Sequence, residues 1–163
     1  MTTALFFLVA LGLLGAFDTL FYHEWKLRLP ECAAARKELR LHAFRDLVYA
    51  IVFGSLGWVT WSGPLVWVLA ALLLLEVAIT LADFIEEDRI RRLPAGERAM
   101  HAVMGITYGV FVALLFPHAR EWWRQPAGFI QVQYGPLSWL LSAFAAGVLL
   151  SGIRDWRASR LGS

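Results

Sequence analysis

Apolar residues along this chain come in long runs, broken by short polar and basic stretches. Five runs, at about 3–22, 44–62, 65–85, 102–117 and 137–153, carry few charges over the length of a helix. The hydrocarbon core of a bilayer takes about 20 helical residues to cross. The pattern therefore predicts an all-α integral membrane protein with five transmembrane helices. The first run, "TALFFLVALGLLGAFDTLFY", has no basic stretch before it and no small-x-small cleavage site after it. It is expected to stay as a helix and not to be removed as a signal peptide. Short connections predict antiparallel neighbours, so helices 1 and 2 form one hairpin, helices 3 and 4 another, and helix five stands apart.

Composition agrees with the pattern: 59% of the 163 residues are hydrophobic and eight are Trp, more than a soluble domain usually carries. Charge then orients the chain. Lys26, Arg28, Arg36, Lys37, Arg40 and Arg45 lie between or near helices 1 and 2. Arg89, Arg91, Arg92 and Arg98 lie between helices 3 and 4, and Arg154, Arg157 and Arg160 follow helix five. Only Arg120 and Arg124 fall on the other side. The positive-inside rule places the N-terminus outside and the tail, 154–163, in the cytoplasm. The expected location is the inner, cytoplasmic membrane of a bacterial cell. These topogenic charges account for the mild basicity, so no nucleic-acid partner is inferred. Trp58, Trp61, Trp67, Trp122, Trp123 and Trp139 mark the outer interface and Trp25 and Trp156 the inner one. The aromatic loop over 118–136 is expected to rest on the outer membrane surface.

Two stretches repeat one another: "ELRLHAFRDLVY" at 38–49 and "ERAMHAVMGITY" at 97–108. The likeness extends backward, because "FDTLFYHEWKLRLP" (17–30) and "LADFIEEDRIRRLP" (81–94) both run from an intramembrane Asp to a closing Leu-Pro. The chain thus reads as a single membrane domain holding repeat 1 (about 3–62), repeat 2 (about 65–117), the loop and helix five. Two like hairpins entering from one side would be related by a two-fold axis along the membrane normal.

Within the repeats, Glu38, His42, Arg45 and Tyr49 are spaced to share one helical face, as are Glu97, His101, Met104 and Tyr108. Glu76, Thr80, Asp83 and Glu87 keep the same spacing on helix 3. On helix 1, Asp18, Tyr22 and Trp25 share a face, with His23 and Glu24 to either side. Charges near a bilayer centre cost about 2.5–3.5 kcal/mol each on insertion scales, and the only bases expected nearby are Arg45, Arg40 and Arg98. Acid exceeds base, which a multivalent cation would resolve. Carboxylates with two imidazoles suit iron, manganese or zinc. The candidate metal ligands are Glu38, His42, Glu97 and His101, with Asp18, His23, Glu24, Asp83 and Glu87 facing them. Tyr49 and Tyr108, two turns deeper, are candidate catalytic residues beside an oxidising metal. Asp155 and His118 lie outside the set and are expected to be dispensable for it, and the lone Cys32 is read as a small residue near a helix start.

This arrangement resembles the di-iron carboxylate bundles, where two helices give a Glu each and two give a Glu with a nearby His. The resemblance covers about residues 18–108, is one of architecture, and departs in spacing: Glu-x-x-x-His here, Glu-x-x-His there. It implies a di-iron or other divalent transition-metal centre and oxidation of a quinol or another lipid-like substrate arriving through the bilayer. The competing reading is a non-catalytic subunit, or a proton- or metal-handling protein, whose polar cluster is structural. A b-type haem on His42 and His101 is the weaker alternative, because it leaves the paired glutamates unexplained.

Overall fold

The computed structural model describes residues 1–160, so the last three residues of the expected tail lie outside the described residues. Five long helices dominate: α1 (Thr2–Phe17), α2 (Arg36–Leu56), α3 (Leu65–Ile90), α4 (Ala95–Trp123) and α5 (Pro136–Ala158). α1 continues without a break as a π-helical extension over Asp18–Lys26, and two 3-10 turns, Leu29–Glu31 and Ala33–Ala35, lead into α2. At the other end of the bundle, β1 (Val59–Ser62) and β2 (Gly128–Gln131) pair antiparallel, Val59 opposite Gln131 and Ser62 opposite Gly128.

Four helices are long and apolar enough to cross a membrane: α1 with its extension (Thr2–Lys26), α3, α4 and α5. α2 is not among them. Its 21 residues would reach about 30 Å, but its first half carries Arg36, Lys37, Glu38, Arg40, His42, Arg45 and Asp46. The apolar run expected to span at 44–62 is divided: helix begins at Arg36 and ends at Leu56, and the rest turns at Gly57 into β1. Val59, Thr60 and Trp61 are β-branched or aromatic and fit an extended strand better than a helix end. The surface loop expected over 118–136 differs too, because α4 runs through Pro117 to Trp123 before the chain turns to β2. Prolines of this kind are tolerated in membrane helices, where neighbouring groups meet the freed carbonyl.

α1 packs against α4, and α2 packs against both α3 and α5. α3 and α4 touch only sparingly, as do α1 and α5. The hairpins expected from the 1–2 and 3–4 connections are therefore not the main packing pairs. Leu8, Val52, Phe53, Leu56, Phe111 and Leu141 form the centre of an apolar core toward the sheet end. The Ser138 hydroxyl ties that end together, donating to the Gly57 carbonyl at 2.6 Å and accepting the Tyr134 N–H at 2.8 Å. Lower down, α5 closes on α2 at Gly152, where a Cβ would stand 3.0 Å from the Asp46 Cβ and 3.2 Å from the Ala43 carbonyl oxygen. Only glycine lets the two backbones approach so closely.

Gly152→Val is expected to force α5 off α2 and destabilise the fold by about 1–3 kcal/mol. Tryptophan fluorescence during thermal unfolding in detergent measures it; an unchanged midpoint would show that this contact does not hold the two helices together.

A candidate metal centre at the basic end

The end of the bundle opposite the sheet is polar inside. Glu38 and His42 project from α2, Asp83 and Glu87 from α3, Glu97 and His101 from α4, and Asp18 and His23 from α1 and its extension; all eight are buried. Helical spacing explains most of this. Glu38 and His42, Asp83 and Glu87, and Glu97 and His101 are each four residues apart and so stack on one face. Asp18 and His23 are five apart, which an α-helix would turn to different faces. The π winding of this segment, where the Leu27 N–H bonds the Tyr22 carbonyl at 2.9 Å, restores their alignment. The face expected on helix 1 is corrected accordingly: His23 joins Asp18 inside, Tyr22 packs on Gly96, and Trp25 is exposed.

Imidazoles and carboxylates converge here. His101 Nε2 lies 3.3 Å from Asp18 Oδ2, and His101 Nδ1 lies 3.6 Å from Glu87 Oε2. His23 Nε2 is 3.5 Å from both Asp18 Oδ2 and Glu97 Oε1. His42 Nε2 is 3.0 Å from Asp83 Oδ2. The His23 and His42 rings stack in parallel with centroids 4.6 Å apart. Two four-residue groups hold potential ligand atoms within 4.8 Å of one another: His23, Glu38, His42 and Glu87, and His23, Glu87, Glu97 and His101. His23 and Glu87 belong to both.

Hydrogen bonding leaves this cluster incomplete. The buried side-chain polar atoms without a hydrogen-bond partner, among the described residues, are Asp18 Oδ1, His23 Nε2, Glu38 Oε2, His42 Nε2, Asp83 Oδ1, Glu87 Oε2 and Arg91 Nε. All seven are in this one place, and buried polar groups elsewhere in proteins are nearly always paired. His42 Nε2 is close to Asp83 yet not aligned to donate to it. Two ligands at about 2.1 Å from a shared ion lie roughly 3.0–3.4 Å apart at ordinary coordination angles, and the closest His–carboxylate separations here fall in or just above that range. The donor set fits a divalent transition metal.

Base enters from two sides. Arg45 Nη1 bonds Asp83 Oδ2 at 2.9 Å. Arg91 lies among three carboxylates, its Nη2 reaching Glu97 Oε1 at 2.7 Å, Glu38 Oε1 at 3.0 Å and Glu87 Oε1 at 3.3 Å. Burial disfavours its charge, but Glu97 and Glu38 outweigh that and hold the guanidinium above its usual pKa. The bases expected near the site are corrected here: Arg91 takes the place given to Arg40, which is exposed, and to Arg98, which reaches the Leu93 carbonyl. Its spacing, four residues after Glu87, was a readable signal.

The remaining expected residues lie elsewhere. Glu24 forms an ion pair with Arg154 of α5, and both line a cavity beneath the cluster. Tyr49 donates to Glu76 Oε1 at 2.8 Å, as does Thr80, and Tyr108 donates to the Leu73 carbonyl at 2.8 Å. Both tyrosines are thus engaged deeper in the bundle, about Glu76 and not about the histidines. Asp155, expected to be dispensable, is buried with Oδ2 3.9 Å from His42 Nδ1 and its other oxygen held by Arg154. A carboxylate behind a ligating imidazole fixes its orientation and tautomer. His118 does lie apart, against the N-terminal amine at the sheet end.

Comparison with protein-family models, curated proteins and solved structures gives no match to this chain. What the site does must therefore be argued from its own chemistry.

With three glutamates around one guanidinium, Arg91→Ala is expected to destabilise the metal-free protein by about 3–5 kcal/mol. Added Mn2+ should recover much of the lost thermal midpoint in the variant and less in the parent. Equal midpoints for the two metal-free proteins would show that Arg91 does not balance these carboxylates.

Proposed function

We propose that this chain is a membrane-embedded protein holding a dinuclear metal centre, of iron or manganese, and that it acts as an oxidoreductase on an apolar substrate. The observation that carries the reading is the pair of overlapping ligand groups with unpartnered atoms. Glu38 with His42 would serve one ion, Glu97 with His101 the other, and His23 and Glu87 lie between them. Asp83 stands beside the first histidine and Asp18 beside the second. A two-fold repeat accounts for this symmetry: it exchanges α1 with α3 and α2 with α4, which matches the packing of α1 on α4 and α2 on α3.

A redox-active pair in this place supplies electron transfer between a reduced donor and an oxidant such as dioxygen. Two donor molecules, each giving up two electrons and two protons, reduce one O2 to two waters. The chain's own part is to hold the ligands, exclude bulk water and keep proton acceptors at hand. Glu38, Glu87 and Glu97 have no exposed surface, and carboxylates and imidazoles at hydrogen-bond distances can take the protons released.

A second reading is favoured by Arg91, whose bonds to Glu38, Glu87 and Glu97 tie α2, α3 and α4 without any ion. Elemental analysis separates the two. The metal reading expects about two iron or manganese per chain in the purified protein, and loss of at least one from His42→Ala or His101→Ala. Full metal content in both variants, or none in the parent after reconstitution, would sink it and leave the polar lock.

The basic connections are proposed to face the cytoplasm, with the N-terminus outside, in a cytoplasmic membrane. Cys32 is the single cysteine and is exposed in the α1–α2 connection. A membrane-impermeant maleimide should label it in inverted vesicles and not in intact cells; the reverse pattern overturns the orientation.

A further inference from the structure

A cavity of about 650 Å3 lies between the metal-ligand cluster and the apolar core, a size in the range of sites for small organic ligands. Its walls are mostly apolar, with Phe53, Phe84, Met104 and Phe144 among them. Polar groups meet it at two levels. Asp18 and His101 face it from the cluster, and Glu76, which accepts from Tyr49 and Thr80, faces it deeper down. From Glu76 to Asp83 is about 10 Å along α3 at the helical rise. Arg45 also lines the space, bonded to Asp83.

The cavity reaches the outside through two sparsely packed seams of the bundle. Between α3 and α4, Leu81 and Gly105 both line it and are exposed. Between α1 and α5, Leu20 and Gly147 do the same. These positions lie in segments apolar enough to cross a membrane, so the seams open toward lipid tails.

We infer that this cavity binds a lipid-borne molecule with a neutral, hydroxylated ring and an apolar tail. The inference rests on the redox reading of the adjacent site and names its substrate class. The charged groups lining the cavity are Asp18, Glu24, Asp46 and Glu76 on one side of the balance and Arg45 and Arg154 on the other. An anionic head would meet the carboxylates, and a cationic head would meet the two arginines, which are already held by Asp83 and by Glu24. A neutral donor fits both signs of charge, and it satisfies Asp18 and Glu76, which can only accept while ionised. A flat ring suits the aromatic walls, where Phe84 already stacks on His101 at 4.8 Å and 13°. The tail leaves by a seam.

Two matched sites on α4 make the test. Gly105 and Gly109 both have open space where a side chain would go, but only Gly105 lines the cavity. Gly147 also lines it and is equally open. Tritiated 2-decylhydroquinone is titrated onto the detergent-solubilised full chain without oxygen, with metal content measured on the same samples. Saturable binding of one probe per chain is expected. Filling the space with the double variant Gly105→Leu/Gly147→Leu should weaken it about tenfold or more, and Glu76→Gln by about tenfold through the lost acceptor. Gly109→Leu should leave it unchanged, and decylbenzene should not compete.

Non-saturable binding, or binding indifferent to the double variant, overturns the site; equal competition by decylbenzene overturns the hydroxylated head. If metal is present and the probe does not bind, the cavity inference fails while the metal centre stands. If the probe binds saturably and no metal is present, the cavity inference stands and the metal reading fails.

Discussion

Like charges repel most strongly where water cannot screen them, and Glu38, Glu87 and Glu97 meet with no exposed surface at all. Asp18 and Asp83 are buried beside them, while Arg45 and Arg91 bring positive charge to the same level. Three elements of the fold follow from holding that level together. Each acid sits on a different helix from its nearest base or imidazole partner, with Glu87 and Arg91 the exception. The bonds therefore cross between helices and fix their register. The apolar half toward the sheet supplies packing that the polar half cannot.

α2 shows how far this constraint reaches. It carries as many charged residues as α3 in a shorter length and is the one long helix not apolar enough to cross a membrane by itself. It is also hemmed in by α3 on one side and α5 on the other. α4 carries the matching Glu and His, but where α2 has Arg45 and Asp46, the matching positions hold Met104 and Gly105. The difference explains why α5 lies over α2 and not over α4. Asp46 needs cover, which Gly152 allows α5 to give at close range. Gly105 needs none, and the seam beside it stays open. α5 thus has a physical task, and the asymmetry it creates is what leaves the cavity a way out.

Much of this was legible in the chain because it depends on local spacing. Hydropathy marked α3 and α5, since nothing in those runs competes with a helix. The pairs Glu38/His42 and Glu97/His101 were legible because four residues is a helical interval whatever the surroundings. Three features were not. The alignment of Asp18 with His23 depends on π winding, which has no simple local signature. Arg91 stands in the sequence as one of the topogenic charges, although its interval from Glu87 also permits an inward bond. The end of α2 was misplaced because Val59–Ser62 is apolar enough to extend a membrane run. Its partner strand, 72 residues on by the Val59–Gln131 pairing, decides otherwise.

Arg91 also bears on how an ion would be received. Its guanidinium contacts one oxygen of Glu38 and one of Glu87, and it leaves Glu38 Oε2 and Glu87 Oε2 without partners. Glu38 and Glu87 therefore each keep one oxygen for the arginine and one without a partner, whereas both oxygens of Glu97 are bonded by it. A carboxylate can serve a base and a metal at once through different oxygens, so an ion taken up by Glu38 and Glu87 would not require the arginine to leave. One taken up by Glu97 would have to share an oxygen with it. Loading through Glu38 and Glu87 requires only that the repulsion among the free oxygens be relieved, which is the part of the imbalance that two guanidiniums do not cover. At Glu38 and Glu87 the arginine would thus orient carboxylates that hold an ion, as outer partners do, and at Glu97 it would compete with one.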